Sequence, residues 1–397
     1  MTKDLVILCG GKGTRLKSLT KNKPKPILKI SKISFLDHLI NFYQKYNFKK
    51  IYLLAGYKGK QIEKIYKNKK FNFIDIEILI EKTPMGTGGC LMQLKKKIKN
   101  DFILINGDSF IDYKFEDFNH IKKNFLGKIL LSSKKNYKEN KKLVGLNISR
   151  DKSISFSKNS NYFNAGVYYF KKKIFKYIKK NKSSLENDIL PKLIESKKIC
   201  GSITKGYFID IGLKRNLYLA KQNLFSKVTK PAVFFDRDGV LNYDYGYVYK
   251  YNNFIWRTNV LRALKLLNKK NYYIFIITNQ AGIGRGHYKD KDFINLHKRL
   301  KMDLNLKKIY IDEVKYCPHH PIFARGIYKK KCKCRKPNNL LIRNILKKWP
   351  INLSKSFMLG DKVSDKNCAK KSNLKFYWAE KDIYHQLKKI INKKNIN

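Results

Sequence analysis

The sequence predicts an α/β protein of two consecutive domains, and three observations support this fold class. Short apolar runs that predict strands alternate with helical patterns through the first half of the chain, which is typical of a mostly parallel sheet. The polar segment 226–230 interrupts this alternation. A new apolar run follows at Ala232–Phe235, and the alternation resumes behind it. We therefore expect one domain over residues 1–228 and a second over residues 229–397.

The composition is that of a globular protein with an unusual charge. The chain has 397 residues, 43% of them hydrophobic, and 88 basic against 29 acidic residues give a net charge of +59. The excess has two explanations, a drift of the whole genome toward AT-rich codons or a surface for nucleic acid or anionic membrane. Only eleven of the 88 basic residues are Arg and no basic tail stands apart, so we expect no nucleic-acid partner.

Cysteine usage and hydropathy indicate a cytoplasmic protein. The seven cysteines are an odd number in a long chain, which argues against a secreted disulfide framework. No run approaches 18 apolar residues, so we expect no membrane partner. The sequence carries no pattern that fixes an oligomeric state.

The first predicted strand, Leu5–Leu8, leads into a glycine-rich loop. Glycines let the backbone approach a phosphate closely and turn its N–H groups toward it. A following arginine and a lysine held between two prolines, which we expect to fix an extended segment, add positive charge. The predicted anion-binding residues are Gly10, Gly11, Gly13, Thr14, Arg15 and Lys25.

Further alternating elements follow this loop. The patterns predict a helix over Phe35–Tyr46 and strands over Lys50–Ala55, Ile76–Ile80 and Phe102–Ile105. Asp108 comes directly after the last of these strands, where ligands collect in open α/β sheets.

The loop and the Pro24-Lys25-Pro26 segment resemble the sugar-1-phosphate nucleotidyltransferase family, and later landmarks extend the resemblance over residues 3–225. It implies a mixed, Rossmann-like sheet of the nucleotide-diphospho-sugar transferase type. It also implies that Arg15 and Lys25 act in catalysis. The implied ligand contacts are Gly86 and Thr87 to the nucleotide, Asp108 and Asp210 to Mg²⁺, and Lys158, Asn164 and Glu186 to the sugar phosphate.

Several of these assignments have alternatives. Asn164 could be an ordinary strand residue, and Asp108 could be a turn residue. Asp210 could instead cap the predicted helix Leu213–Asn223. Lys158 follows Ser157, where the family usually has Glu. Within the family the chain resembles the D-glycero-D-manno-heptose 1-phosphate guanylyltransferases, which implies GTP as the nucleotide, although no residue in the sequence by itself selects guanine.

The second domain opens on a strand that ends in two carboxylates. Because side chains alternate along a strand, Asp236 and Asp238 emerge on one side. Such a pair can hold Mg²⁺, or it can divide the roles of nucleophile and proton carrier. Thr278, which follows the predicted strand Tyr273–Ile277, could bind a phosphoryl oxygen, and Lys336 could add positive charge.

With Asp361 and Asp365, these residues resemble the haloacid-dehalogenase superfamily of phosphatases over residues 231–380. The resemblance implies a Rossmannoid domain in which Asp236 attacks phosphorus and Asp238 handles the proton. Mg²⁺ would be bound by Asp236, Asp361 and the main-chain carbonyl of Asp238, and Thr278 and Lys336 would stabilise charge. Asp365 would orient Lys336 or a metal-bound water. We further expect substrate contacts from Asp244, Asn279, Gln280, Arg335 and Lys362.

A cysteine-rich loop narrows this second resemblance. Cys317, Cys332 and Cys334, with His319 or His320, make a ligand set suited to structural Zn²⁺. The loop resembles the zinc loop of the heptose 1,7-bisphosphate 7-phosphatases, which implies His319 as the ligand.

Together the two halves imply a bifunctional enzyme that removes the 7-phosphate of heptose bisphosphate and then transfers a nucleotide to heptose 1-phosphate. One alternative is another sugar 1-phosphate, such as that of mannose, paired with histidinol-phosphate cleavage. Another is a basic nucleic-acid-binding protein with inactive enzyme domains.

Overall fold

The computed structural model describes residues 3–115, 118, 120–136 and 143–393. The chain divides into two compact units: Met1–Ile40 with Phe48–Lys227, and Asn41–Asn47 with Val228–Asn397. Each unit is built on its own sheet, and the predicted α/β fold class with two domains is confirmed. No helix among the described residues combines the length and hydropathy needed to cross a bilayer.

The first unit is built on a large mixed sheet. The described strands of this unit are β1 (Lys3–Leu8), β2 (Lys29–Ile30), β3 (Ile33–Ser34), β4 (Phe48–Ala55), β5 (Lys70–Phe71), β6 (Ile74–Ile80), β7 (Phe102–Asn106), β8 (Ser109–Ile111), β9 (Gly127–Ser133), β10 (Leu146–Ile148), β11 (Ile154–Phe156), β12 (Tyr162–Phe170), β13 (Ile199–Thr204) and β14 (Phe208–Asp210). The main sheet runs in the order β13-β9-β12-β7-β1-β4-β6-β5, and β12 is antiparallel to both of its neighbours. The central strand, β1, pairs in parallel with β4 on one side and β7 on the other.

Short helices cover this sheet. They are α1 (Ser18–Lys21), α2 (Phe35–Tyr43), α3 (Gly59–Tyr66), α4 (Gly86–Gly89), α5 (Leu190–Glu195), α6 (Lys214–Leu219) and α7 (Phe225–Lys227). A π-helical stretch, Ala220–Leu224, joins α6 to α7, so the predicted helix Leu213–Asn223 forms with one irregular segment. The central strands are buried on both faces, as their continuous apolar runs require, and Val6 and Leu104 belong to the core.

The second unit contains a parallel sheet and the helices around it. Its elements are β15 (Ala232–Phe235), α8 (Val260–Lys269), β16 (Tyr273–Asn279), α9 (Ala281–Arg285), α10 (Asp290–Leu306), β17 (Glu313–Cys317), α11 (Leu340–Lys348), β18 (Phe357–Gly360), α12 (Val363–Lys370), β19 (Lys375–Trp378) and α13 (Ile383–Lys393). The strands run in the order β17-β16-β15-β18-β19. Because all five strands point the same way, the residues that follow β15, β16 and β18 meet at one edge of the sheet.

Helix patterning explains how α8 packs in this unit. Its buried residues Val260, Ala263, Leu264 and Leu267 recur at the spacing of one helical face. On the strands, Phe234 and Phe275 pack against each other with ring centroids 5.1 Å apart. Trp349 covers Phe275, and its indole N–H donates to the buried Glu313 carboxylate at 2.8 Å.

One local expectation was wrong. We expected the prolines around Lys25 to hold an extended segment, but Lys25–Ile27 form a 3₁₀ turn. Pro24 is extended, whereas Pro26 sits at the start of the turn, where its fixed φ and missing N–H are tolerated. The turn leaves the Lys25 side chain almost fully buried.

Candidate functional site

The first candidate site lies where β1 and β7 end. A cavity of about 340 Å³ opens there, and Gly10, Gly11, Lys25, Gly86, Thr87 and Asp108 are among its lining residues. The Lys25 ammonium forms a very short ion pair with the Asp108 carboxylate. The structure therefore brings the glycine loop, the Pro-Lys-Pro lysine and the strand-end aspartate together in one cavity.

Asp210 lies beside Asp108 because β14 pairs with β8, which places Asp210 opposite Ser109. The Ser109 hydroxyl lies 3.3 Å from an Asp108 oxygen and 3.5 Å from an Asp210 oxygen. Burial, and then the negative charge of Asp108, raise the pKa of Asp210 to about 6. A second carboxylate that disfavours the charge of Asp210 in this way makes a site suited to a divalent cation.

The Asp210 carboxylate accepts a hydrogen bond from the Gly212 N–H, and α6 begins after Leu213 without a side-chain cap. Helix capping by Asp210 therefore does not occur. Arg15 lies on the same side, since its Nη2 is 3.3 Å from where a Cβ on Gly212 would stand. Gly13, Thr14 and Arg15 belong to the glycine loop but do not line the cavity.

A second cavity of about 430 Å³ in the same unit is lined by Asn164 and Glu186 and shares Asn106 with the first. The Asn164 amide donates to the Tyr168 hydroxyl at 2.8 Å, and that hydroxyl donates to Glu186 at 3.4 Å. Lys158 is exposed and is not among the lining residues. The structure thus brings Asn164 and Glu186 together and leaves Lys158 outside.

Thr87 joins the two cavities. Its hydroxyl donates to Glu186 at 2.7 Å and accepts from the Leu185 N–H at 2.8 Å. Both hydrogen bonds are within the protein, so the Thr87 side chain holds Glu186 in place. Gly86 beside it has φ of 74°, and a Cβ there would stand 2.5 Å from the Ser183 carbonyl oxygen, so only glycine fits this close approach.

Sequence reasoning missed Glu81 in the first cavity. Glu81 follows β6 directly and lines the cavity, and its carboxylate accepts the Met85 N–H at 2.9 Å. Burial raises its pKa above the ordinary value. Its position after a parallel strand was the available signal, the same one that identified Asp108.

The third candidate site lies at the strand ends of the second unit, in a cavity of about 470 Å³. Its lining includes Asp236, Asp238, Asp244, Thr278, Asn279, Gln280, Arg335, Lys336 and Lys362. All of these were predicted from the sequence, and the structure brings them together. Asp236 and Thr278 are nearly fully buried, 6% and 1% exposed, so the reactive groups lie at the inner end.

A buried ion-pair triad forms the centre of this site. The Lys336 ammonium is 2.8 Å from Asp236 and 2.6 Å from Asp365, and it also donates to the Ile277 carbonyl at 2.9 Å. Burial raises the pKa of Asp236 to about 7 although Lys336 opposes the shift. Burial would lower the pKa of Lys336, but the two carboxylates hold it above its usual value.

Asp236, Asp361 and Asp365 lie close enough for one ion, with carboxylate oxygens within 4.8 Å of one another. Oxygen-only ligands suit Mg²⁺. Gly239 makes room for this group, because it has φ of 80° and a Cβ on it would stand 2.2 Å from an Asp361 oxygen. The positive φ and the lack of space for a Cβ explain why a glycine follows the carboxylate pair.

The Asp238 carboxylate does not belong to this group of acids. The Arg237 Nε donates to both of its oxygens at 3.1 Å and the Arg237 Nη2 donates to Oδ1 at 2.8 Å, and single bonds come from Asn242 and Gln280. Burial would raise the pKa of Asp238, but Arg237 and these donors hold it below the ordinary value. Arg237 is 1% exposed. Nothing local in the sequence indicates this burial, because Arg237 is a charged residue between two aspartates.

Two residues predicted to contact the substrate, Asn279 and Gln280, form hydrogen bonds within the protein. Asn279 exchanges two hydrogen bonds with the Lys336 main chain, at 3.2 and 3.0 Å. Gln280 donates to Asp238 and Thr278, each at 2.8 Å, and accepts from the Tyr288 hydroxyl. Both amides therefore position the reactive side chains, whereas Asp244 and Lys362 form a looser pair at 3.5 Å near the opening.

Cys317, His319, Cys332 and Cys334 converge beside the core of the second unit. The Sγ atom of Cys334 lies 3.1 Å from that of Cys317, 3.2 Å from that of Cys332 and 3.2 Å from the His319 Nδ1. His320 is turned elsewhere, because its Nδ1 accepts the Ile322 and Phe323 N–H groups. The four ligand atoms lie at the corners of a small tetrahedron, which is the geometry of a closed structural metal site.

Comparison with known proteins gives a family for each unit. Residues 5–227 match the nucleotidyl transferase family model, and residues 232–383 match the polynucleotide kinase 3 phosphatase model. The D-glycero-beta-D-manno-heptose-1,7-bisphosphate 7-phosphatase of Rhodopseudomonas palustris is 39% identical over 145 residues, 36% of this chain and 81% of the relative. Its namesake from Haemophilus influenzae is 40% identical over 134 residues, 34% of this chain and 72% of that protein. The crystal structure of HddC from Yersinia pseudotuberculosis, 31% identical, covers 56% of this chain and 100% of its own, with a TM-score of 0.49.

The Cys/His cluster yields a direct prediction. We expect the purified protein to retain about one divalent metal ion per chain, because four such ligands form a closed, high-affinity site. Cys332→Ser should lower the metal content well below that of the unmodified protein in elemental analysis after gel filtration. Cys368→Ser is the control, since Cys368 is also buried but lies outside the cluster. Equal metal content in both variants would contradict the assignment.

Proposed function

We propose that this chain, which belongs to the nucleotidyl transferase family and to the D-glycero-β-D-manno-heptose-1,7-bisphosphate 7-phosphatase family, performs two consecutive steps of heptose activation. The second unit removes the 7-phosphate of the bisphosphate. The first unit then joins heptose 1-phosphate to a nucleotide and releases pyrophosphate. The observation that carries the phosphatase assignment is the buried triad of Asp236, Lys336 and Asp365 in a chain with these relatives.

In the phosphatase step, an Asp236 oxygen attacks phosphorus and the sugar oxygen leaves. Lys336 and the Thr278 hydroxyl face the transferring group and neutralise its charge without reorganisation. Mg²⁺ held by Asp236 and Asp361 would supply further charge neutralisation when bound. Water then cleaves the aspartyl phosphate, which frees Asp236 and releases inorganic phosphate.

Asp238 moves the protons in both halves of this step. It gives a proton to the leaving sugar oxygen and later takes one from the attacking water. In the free protein, Arg237, Asn242 and Gln280 hold it as a carboxylate, which suits the second half. The proton that Asp238 takes from the attacking water replaces the one that it gives to the sugar oxygen, so the proton balances over one turnover.

In the transfer step, the first unit mainly positions and neutralises charged groups. Gly10, Gly11 and Lys25 line the cavity that would hold the triphosphate, Arg15 adds positive charge beside Asp210, and the oxygen of heptose 1-phosphate attacks the α-phosphorus in line. Asp108 and Asp210 would hold Mg²⁺, which neutralises the α-phosphate when bound. Asn164 and Glu186 line the adjoining cavity, where the hydroxyl groups of the heptose would bind. No covalent intermediate is needed.

The Cys/His cluster would hold Zn²⁺ in this proposal, because three thiolates and one imidazole are its usual structural ligands. Arg335 and Lys336 follow Cys334 directly. The metal would therefore fix the loop that delivers the lysine to Asp236, and its role would be structural.

Two variants should separate the two activities. Asp236→Asn removes the nucleophile, so we expect phosphate release from heptose 1,7-bisphosphate to fall to background while pyrophosphate release from heptose 1-phosphate and GTP continues. Lys25→Met should do the reverse, because it removes the charge that pairs with Asp108. The activity that each variant retains shows that the variant is folded. Phosphate release and pyrophosphate release are measured on the same preparations. Loss of both activities in either variant would contradict independent sites.

The nucleotide we propose is GTP, and Glu81 supports this choice. Guanine presents an N1–H and an N2–H₂ donor side by side, and one carboxylate can accept from both. Adenine presents a donor beside an acceptor, which a carboxylate does not match. The hydrogen bond from Met85 fixes the Glu81 carboxylate at the cavity wall, and each oxygen keeps a free lone pair.

Glu81→Gln should weaken this preference. Replacing one acceptor oxygen by an amide donor removes a hydrogen bond to a charged group worth about 1.5–3 kcal/mol, so kcat/KM for GTP should fall about tenfold or more. The values for ATP, CTP and UTP should change much less. Glu195→Gln on the exposed end of α5 is the control. An equal loss for all four nucleotides would contradict a role in reading the base.

A further inference from the structure

The segment Met85–Thr87 connects the first cavity, proposed for the nucleotide, with the second cavity, proposed for the sugar. At its beginning, the Met85 N–H donates to the Glu81 carboxylate at 2.9 Å. At its end, the Thr87 hydroxyl donates to the Glu186 carboxylate at 2.7 Å. Glu81 lines the first cavity and Glu186 lines the second, so three consecutive residues join a carboxylate of each cavity.

The short helix α4, which follows Met85, is packed tightly on residues 181–189, the segment that carries the carboxylate of the second cavity. The Gly88 N–H donates to the Ser183 carbonyl at 2.8 Å. A Cβ on Gly89 would stand 2.1 Å from a main-chain oxygen of the same segment. The two stretches are therefore in direct backbone contact, and a displacement of one also displaces the other.

The hydrogen-bonding capacity of the Thr87 hydroxyl is used within this shared wall. A hydroxyl has one hydrogen to donate, and that of Thr87 goes to Glu186. The same oxygen accepts the Leu185 N–H at 2.8 Å. The resemblance of the sequence implied a nucleotide contact for Thr87, and the residue does line the first cavity. Its side chain, however, bonds the residues of the second cavity.

Glu186 continues the connection into the second cavity. One of its oxygens accepts from Thr87, and the other accepts from the Tyr168 hydroxyl at 3.4 Å. Tyr168 is fully buried, and its hydroxyl accepts from the Asn164 amide at 2.8 Å. Glu186 and Asn164 are the residues proposed to bind the heptose hydroxyl groups. The chain of hydrogen bonds that orients both of them therefore begins at Thr87.

We propose that Thr87 is a positioning residue through which a nucleotide in the first cavity strengthens the binding of the sugar phosphate in the second. The inference rests on the proposed function, since it needs both ligands in one unit. A nucleotide that contacts Gly86 and Thr87 restricts α4, and the Thr87 hydroxyl then holds Glu186 in one orientation. Ordering Glu186 costs conformational entropy, and the first ligand has met that cost before the second binds.

A direct contact to the nucleotide would be a simpler role for the Thr87 hydroxyl. Such a contact predicts that loss of the hydroxyl weakens nucleotide binding whether or not the sugar phosphate is present. A positioning role predicts that the affinity for the nucleotide alone is unchanged and that only the mutual strengthening is lost.

The test measures binding by isothermal titration calorimetry on the full-length protein with Mg²⁺. The ligands are heptose 1-phosphate and the α,β-methylene analogue of GTP, which cannot release pyrophosphate. In the unmodified protein, we expect the analogue to tighten binding of heptose 1-phosphate about tenfold, and heptose 1-phosphate to tighten binding of the analogue by the same factor. In Thr87→Val, both factors should fall to about one, with the affinity for the analogue alone unchanged.

Three further variants make the result specific. Thr87→Ser keeps the hydroxyl and should keep the mutual strengthening. Ser183→Ala removes another hydroxyl from the same wall, one that donates to the Lys180 carbonyl at 3.3 Å, and should leave both factors unchanged. In a Glu186→Gln background, Thr87→Val should have little further effect, because the two side chains act as one unit. Binding of the analogue by each variant shows that the first unit is folded.

Several outcomes would overturn the inference. They are no mutual strengthening in the unmodified protein, unchanged strengthening in Thr87→Val, or the same loss in Ser183→Ala. Weaker binding of the analogue alone in Thr87→Val would assign the hydroxyl to direct nucleotide binding instead. Unmodified protein that binds the analogue but never heptose 1-phosphate would overturn the proposed function, and this inference with it.

Discussion

A buried lysine paired with an aspartate at the end of a parallel strand is the interaction on which the first and the third candidate sites depend. Lys25 meets Asp108 after β7, and Lys336 meets Asp236 after β15. Removing such charges from water is costly unless each is compensated in place. The pairing therefore fixes the lysines before any substrate arrives, and fixed charge is what transfer of a phosphoryl or nucleotidyl group requires.

In each unit, the fold places one of these lysines next to its aspartate. In the first unit, a 3₁₀ turn between prolines buries Lys25 beside the glycine loop. In the second, the Cys/His cluster sits next to Lys336 in the sequence, and Asn279 holds the lysine main chain. Parallel sheets bring the aspartates to one edge, while loops from distant parts of the chain supply the lysines. The strand order therefore determines where each aspartate lies, and the anchoring of the loops determines where each lysine lies.

Much of this arrangement could be predicted from the sequence, because it is encoded in short patterns. Apolar runs located the central strands, and glycines with acids after them located the cavities. The confirmed α/β fold class rests on these local signals. The spacing of the Cys317–Cys334 loop likewise pointed to the cluster that the structure shows.

What the sequence did not reveal are contacts that depend on distant packing. The burial of Arg237 against Asp238, the tie from Thr87 to Glu186 and the placement of Glu81 in the first cavity involve partners on other elements. Lys158 shows the opposite case, a residue with the expected type and position that lies exposed. Local patterns specify where a strand ends, but they do not specify which side chains meet there.

A ³¹P NMR time course on the unmodified protein tests the central claim most directly. The reaction contains heptose 1,7-bisphosphate, GTP and Mg²⁺, with no other enzyme present. The account predicts that inorganic phosphate and heptose 1-phosphate appear first, followed by pyrophosphate and a new nucleotide diphosphate sugar in equal amounts. Inorganic phosphate that accumulates with no pyrophosphate, or pyrophosphate formed before any inorganic phosphate, would contradict it.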